Sequence, residues 1–297
     1  MSIHKSGRRT LLFALCLLTP AWVSAADLYV TTDRGTVYKI PPTGIPSVFV
    51  GGLNFLEGVA VNSAGNVFIG FGTNINEFTP TGSQSTFASG VFPFGLAFDP
   101  SGNLFEADAN GVINKFTPAG VESTFATGLS NVQGIACDGS GDVFLADGES
   151  TVYEYSPSGV RSTFATGLDA PVGLAFDPSG NLFVSATNSG TIYKYTASGV
   201  QSTFATGLPQ PWGLACDADG DVYDAEIISR AVYEFSPSGT MSTFATGLIQ
   251  PEFMSFDPPT AVPEPSTLVL AVLAAVMLGG LKCVIKPSSA LRVRRAK

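Results

Sequence analysis

The chain has 297 residues, of which 13% are charged, and it carries 33 Gly, 20 Pro and 22 Phe. That composition excludes a long-helix or coiled-coil protein, and 45% hydrophobic residues exclude disorder, which leaves a turn-rich, aromatic β-protein. The formal charge of −9 conceals a body, residues 26–262, with six cationic side chains against 23 carboxylates, a net of −17 that repels nucleic acid and anionic lipid.

The N-terminus reads as an export signal. Lys5, Arg8 and Arg9 precede an apolar run over 11–18, then Pro20 and the small-residue site Val23-Ser24-Ala25, which predicts a secretory signal peptide over 1–25 cleaved after Ala25. The run is far shorter than the ~20 residues that span a bilayer, so an uncleaved anchor is the poorer reading. His4 leaves with the signal, and the mature chain then has no histidine.

From Asp27 the chain is built of short strands, and from Gly58 it repeats. The phrase Gly-Leu-Ala-Phe-Asp-Pro-Ser-Gly-Asn-Leu-Phe at Gly95 recurs at Gly173, with weaker copies at Gly58, Gly134 and Gly213, at spacings of 37, 39, 39 and 40 residues. A second phrase, Ser-Thr-Phe-Ala-Thr-Gly-Leu, places Phe87, Phe125, Phe164, Phe204 and Phe244 in one phase, with Phe49 a degenerate sixth copy. Periods near 40 with several short strands per unit predict a β-propeller. Within one unit strands are expected over 95–99, 103–108, 111–116 and 122–127, with Pro- and Gly-containing turns at 100–102 and 117–120. Five complete units begin at Gly58, whereas 253–258 looks like a lone first strand and 27–56 supplies a second, third and fourth. Joined, these make a sixth blade from both chain ends. The prediction is an all-β, six-bladed propeller of four-stranded blades over 27–258, closed so that no blade is left unpaired.

Few residues in this body carry chemistry. Cys137 and Cys216 occupy the register of Phe98, Phe176 and Val61, which makes them core residues on blades too far apart for a disulfide. Asp217, Asp219 and Asp221 alternate like the start of a calcium loop, but Gly220 falls at the fourth position and Ile228 at the twelfth, so a hairpin turn is expected. The residue before each unit's opening Gly ends the loop into an inner strand and should ring the channel mouth: Glu57, Phe94, Gln133, Val172, Trp212 and, in the closing blade, Glu252. Glu57 and Glu252 then sit on adjacent blades, a candidate site for a divalent cation such as calcium or magnesium. Trp212 and Phe94 are candidates to stack on a sugar. The lack of histidine excludes a Ser-His-Asp triad in the mature chain.

The repeat resembles NHL repeats and, in its Gly-Leu-Ala-Phe-Asp-Pro-Ser-Gly-Asn-Leu-Phe phrase, the family of regucalcin and gluconolactonase. That resemblance implies a metal-dependent lactone hydrolase in which a Glu, several Asn and an Asp after a second strand hold a divalent metal, the Asp serving as base. Glu57 matches the Glu, and Asp108 or Asp147 could stand for the Asp. No Asn precedes any of the opening glycines, and the counterparts of Asp108 are Thr32, Phe71, Ala186 and Glu226.

At the C-terminus, after a linker at 259–262, Pro263, Glu264 and Pro265 precede an apolar stretch, a membrane helix expected at about 267–285, and a basic tail over 286–297. Pro-Glu-Pro, greasy helix and basic tail, in that order, resemble the PEP-CTERM sorting signal of bacteria. The resemblance implies export through the secretion translocon, transient anchoring in the inner membrane and processing by an exosortase. The sequence therefore predicts an exported, non-enzymatic propeller at the cell surface or in an exopolysaccharide matrix, meeting polysaccharide or a surface protein. The second reading is a metal-dependent lactone hydrolase or lyase of the same fold.

Overall fold

A computed structural model describes residues 26–258. The signal peptide with Ala25, the linker, and the sorting segment with Pro263, Glu264 and Pro265 lie outside the described residues. Among those described, no helix is long and apolar enough to cross a membrane.

The described residues form six four-stranded antiparallel sheets. Blades 1 to 5 occupy 56–89, 93–127, 135–166, 171–206 and 211–246 in chain order. The sixth blade is split, with Pro251–Phe256 as its inner strand and Leu28–Thr32, Thr36–Ile40 and Ser47–Gly51 completing the sheet. Leu28 pairs with Phe256 and Val30 with Met254, so both chain ends are held in one ladder. In blade 2 the strands run Pro93–Phe98, Leu104–Asp108, Val112–Phe116 and Glu122–Thr127, within two residues of the sequence prediction. Each inner strand contacts the next, and the last returns to the first, which closes the ring.

The physical logic of a blade follows its strand order. Second strands such as Leu104–Asp108 are buried along their whole length because both faces pack on neighbouring blades, whereas outer strands begin with exposed Ser and Thr. The repeated phenylalanine of each outer strand turns inward. Phe87 meets Phe68 of its own blade edge-to-face at 5.0 Å and Phe116 of the next at 5.6 Å, and Phe125, Phe164 and Phe204 bridge neighbouring blades in the same way. Six apolar clusters, one per interface, result. Cys137 and Cys216 are free thiols packed against two of these clusters, and burial raises both well above the ordinary thiol range.

At the axis the inner strands approach so closely that a side chain cannot fit between them. A Cβ on Gly134 would lie 2.1 Å from the Val172 carbonyl oxygen, and one on Gly213 would lie 2.0 Å from that of Glu252. This close approach is why the repeat opens on glycine. The exception is blade 6, where Pro251-Glu252-Phe253 aligns with Pro211-Trp212-Gly213 and a phenylalanine stands in the glycine position. The remaining axial space is a cavity of about 40 Å³ lined by Gly95, Gly134, Gly173, Leu174, Phe253 and Met254 among others.

Two stability measurements check this architecture. Gly134→Ala should cost about 1–3 kcal/mol by forcing two inner strands apart, whereas Gly51→Ala, on an outer strand whose Cβ would find its nearest neighbour at 3.8 Å, should stay within about 0.5 kcal/mol of the parent. Deleting 251–258 should abolish cooperative unfolding or drive aggregation, because it leaves the Leu28–Thr32 edge unpaired. An unchanged Tm after that deletion would contradict the split blade.

Candidate ligand site

The mouth is the face where the inner strands begin, opposite the one where Asp27 and Asp257 meet through two hydrogen bonds. The residues predicted to ring it divide into three groups. Phe94, Val172 and Trp212 join the apolar cluster of the blade 6 and blade 1 interface through Phe253, whose ring meets Phe94 edge-to-face at 5.9 Å. They plug the axis. Trp212 is half-buried in this plug, and its indole Nε1 is buried without a hydrogen-bond partner. Gln133 turns toward its own blade, donating from Nε2 to Asn131 Oδ1 at 3.4 Å. Glu57 and Glu252 form the third group, on adjacent inner strands, with Asp33 near enough to repel both.

Beside this plug, off the axis, opens a pocket of about 760 Å³ between blades 6, 1 and 2. Phe55, Phe71, Phe92 and Phe94 wall it together with Leu53, and Glu57 is the charged side chain in its lining. Its origin is a shortage of chain. Phe71 and Asn74 are paired directly, leaving a two-residue hairpin of Gly72 and Thr73, whereas the corresponding loops of blades 2 and 4 have three and four residues. The connection into blade 2 has three residues, 90–92, against four in 167–170, 207–210 and 247–250. Both deletions fall on the mouth rim of blade 1, and they account for its 37-residue repeat against 39 and 40 elsewhere.

One wall residue is held in a costly conformation. Phe55 has φ of 53°, in the left-handed region, and is 84% exposed. Asn131, Ala170 and Gln250 occupy the same loop position with the same φ sign, so the conformation belongs to the connection and only the bulky ring is peculiar to this one. A non-glycine residue there costs on the order of 1–3 kcal/mol. The sequence prediction missed Phe55, Phe71 and Phe92; the available signal was the short repeat together with aromatics where other units carry Asn, Gln, Ala or Asp.

The carboxylates predicted to serve a metal are differently occupied. Asp108 accepts the backbone N–H groups of Phe92 (2.8 Å) and Asn110 (2.7 Å), and Asp147 Oδ1 accepts those of Glu149, Ser150 and Thr151. Glu226, in the same register, accepts from Gln210 and Ser229. These acids cap their own loops. Among the described residues no three His, Cys, Asp or Glu side chains are grouped to hold a metal ion, and Phe94, Val172 and Trp212 supply no oxygen donors where the lactonase pattern has Asn. The donor set does not fit that metal. Asp217 likewise spends Oδ1 on the N–H groups of Asp219 (3.0 Å) and Asp221 (2.9 Å), the expected hairpin turn.

Burial pushes Glu57 up to about 7, with Asp33 adding repulsion, and Glu252 up to about 8, with Glu57 and Asp33 adding. Two further acids stand where other blades have Ile69, Leu145 or Val184. Burial pushes Glu106 up to about 8 although Asn114 Nδ2 donates to it at 2.9 Å, and it raises the fully buried Asp224 well above the carboxylate range.

No protein-family model matches the sequence, and no curated protein does. Solved structures match the fold. A chain of a nidogen/laminin complex superposes with a TM-score of 0.72 at 17% identity, covering 78% of this chain and 98% of its own. A streptogramin B lyase follows at 0.61 and 14% (80% and 89% covered), and a gluconolactonase from Xanthomonas campestris at 0.60 and 18% (82% and 90%). At such identities the similarity establishes the architecture, a six-bladed propeller like those of gluconolactonase and regucalcin.

The raised acids make stability depend on pH with a definite sign. Glu57, Glu106 and Glu252 bind protons more tightly folded than unfolded, so their stabilising effect is complete below pH ~4.5 and is lost as pH rises through about 7 to 8. Tm should fall between pH 5 and 8.5, and Glu106→Gln should flatten that slope. A Tm that rises over this range would contradict the assignment.

Proposed function

We propose that this protein is an exported, non-enzymatic propeller that binds a small apolar ligand in the rim pocket at the cell surface or in an exopolysaccharide matrix. The observation that carries the binding role is Phe55, an aromatic ring held at positive φ and left exposed over a cavity that three further phenylalanines wall. A ring costs stability there and gains nothing in the core, which is the mark of a side chain kept for a ligand. Export rests on the N-terminal signal pattern. Cell-surface processing by an exosortase rests on Pro263-Glu264-Pro265 and the segment after it.

The second reading is a metal-dependent lactone hydrolase or lyase. In its favour stand the gluconolactonase neighbours and the placing of Glu57 and Glu252 on adjacent inner strands; against its metal stands the lack of further oxygen donors at Phe94, Val172 and Trp212. Against the lyase, one neighbour of that class is catalytically inactive once a histidine is replaced by alanine, and residues 26–258 contain none.

Titration with 3,3-dimethylbutyl phenyl ether, an uncharged apolar probe, should shift NMR resonances of Phe55, Phe92 and Thr73. Phe55→Gly should weaken that binding at least about fivefold while Tm stays level or rises, since glycine relieves about 1 kcal/mol or more of backbone strain. Resonance shifts confined to Trp212 and Gln133 would move the site to the axis. Hydrolysis of a sugar lactone that requires calcium or magnesium, and that Glu57→Gln abolishes, would favour the enzyme instead.

A further inference from the structure

We propose that the rim pocket takes an organic cation, an N-alkylated ammonium carrying an apolar body, with its charged end beside Glu57 and its alkyl groups against the phenylalanine walls. The inference rests on the binding role argued above and adds the chemical class of the ligand.

Three observations lead to it. The first is charge without a partner. The ion pairs among the described residues are Lys39 with Asp27 at 2.8 Å and Lys194 with Asp177 at 3.9 Å, and neither involves the mouth. Glu57 lines the pocket, Glu252 on the adjacent inner strand has Oε2 buried and unpaired, and Asp33 adds a third negative group. Burying carboxylates together is unfavourable unless protons or a cation intervene. The whole body has the same sign, with six cationic side chains against 23 carboxylates over 26–262, so its field favours cationic ligands over anionic ones.

The second is the walls. Phe55, Phe71, Phe92 and Phe94 present aromatic surface, and ring faces attract cations held within about 6 Å of their centroids. The third is the mainly apolar lining, which suits alkyl groups better than bare N–H donors. A primary ammonium has three N–H donors to satisfy, whereas an alkylated one spreads its charge over methyl groups that need none. The lining offers Asn54, Thr73, Asn74 and Glu57 as polar side chains and is otherwise largely apolar. A volume of about 760 Å³ admits a body well beyond the ammonium itself.

A pair of isosteres separates this proposal from the reading beneath it. Choline phenyl ether and 3,3-dimethylbutyl phenyl ether have the same shape and differ in a quaternary nitrogen against a quaternary carbon. Titrated by NMR into the full protein at pH 8, the cation should bind about tenfold more tightly, the size of a desolvated cation–π contact with a carboxylate behind it. Glu57→Gln, which removes the charge at nearly constant shape, should reduce the preference to about threefold or less while Tm at pH 8 stays level or rises, since a buried charge is removed. Between pH 8 and pH 6 the preference should shrink in the parent as Glu57, facing Asp33 and Glu252, takes up a proton, and it should shrink less in Glu57→Gln, where Glu252 alone of the pair titrates. Equal affinity for both probes would overturn the cation while leaving the pocket in place. Binding of neither would overturn both. A preference that survives Glu57→Gln undiminished would remove Glu57 from the site and overturn the proposal.

Discussion

The inner strands approach one another too closely for side chains at several of their glycines, and most of the architecture is set there. With Cβ positions on Gly134, Gly173 and Gly213 lying 2.0 to 2.2 Å from a neighbouring carbonyl oxygen, the ring closes only if those residues have no side chain. Closure at that radius leaves about 40 Å³ on the axis. A propeller that binds at its axis needs the opposite, a wide mouth with polar groups converging on it. Here the single inner strand without the glycine contributes Phe253, and Phe94, Val172 and Trp212 pack against it. The tight ring thus removes the axis as a site and leaves the rim as the place where a cavity can form.

The perimeter solves a different problem. Without a disulfide among the described residues, blades must be held by contacts that recur at every interface. Five of the six outer-strand phenylalanines do this by touching an aromatic of their own blade and one of the next, with ring centroids 4.8 to 6.1 Å apart, while Phe244 meets Tyr223 of its own blade, which in turn meets Phe256 of blade 6. Edge-to-face pairs at such separations contribute about 0.5–1.5 kcal/mol each beyond their buried area. Because that adhesion is spread evenly, the fold tolerates local costs, among them Glu106 and Asp224 in positions that other blades fill with aliphatic side chains.

The repeat, its split closing blade and its Asp-capped hairpins were legible in the sequence because each depends on residues a few positions apart. Asp99, Asp138, Asp177 and Asp217 each accept two N–H groups of their own turn, and such a turn is written locally. The mouth was only half legible. Register correctly set Glu57 and Glu252 on adjacent blades, but whether Trp212 faces solvent or a plug depends on Phe253, which comes from another blade and whose significance shows only when it is aligned with glycine. Asp108 and Asp147 looked available for chemistry by position, and the loops they cap, folded back on their own carboxylates, are what occupied them.

The pocket teaches where to look in a repeat protein. Positions shared by all six units are explained by the ring and its interfaces, since each unit faces the same packing problem. A function specific to one place must come from what one unit does differently. Blade 1 is two to three residues shorter than the other units, and the missing residues belong to the mouth rim. A random deletion in a loop would be closed over by small or polar side chains; this one is bordered by Phe55, Phe71 and Phe92, two of them conspicuously exposed at 84% and 47%. Water-facing aromatic rings around a gap lower solubility and, for Phe55, cost backbone energy as well. The Phe55 ring is not needed to close the propeller, because the equivalent connections carry Asn131, Ala170 and Gln250 at the same positive φ. A shortened rim, an exposed aromatic ring at positive φ and an acid without an ion-pair partner thus meet at one point of an otherwise regular ring, and the proposed ligand site rests on that coincidence rather than on likeness to any structural neighbour.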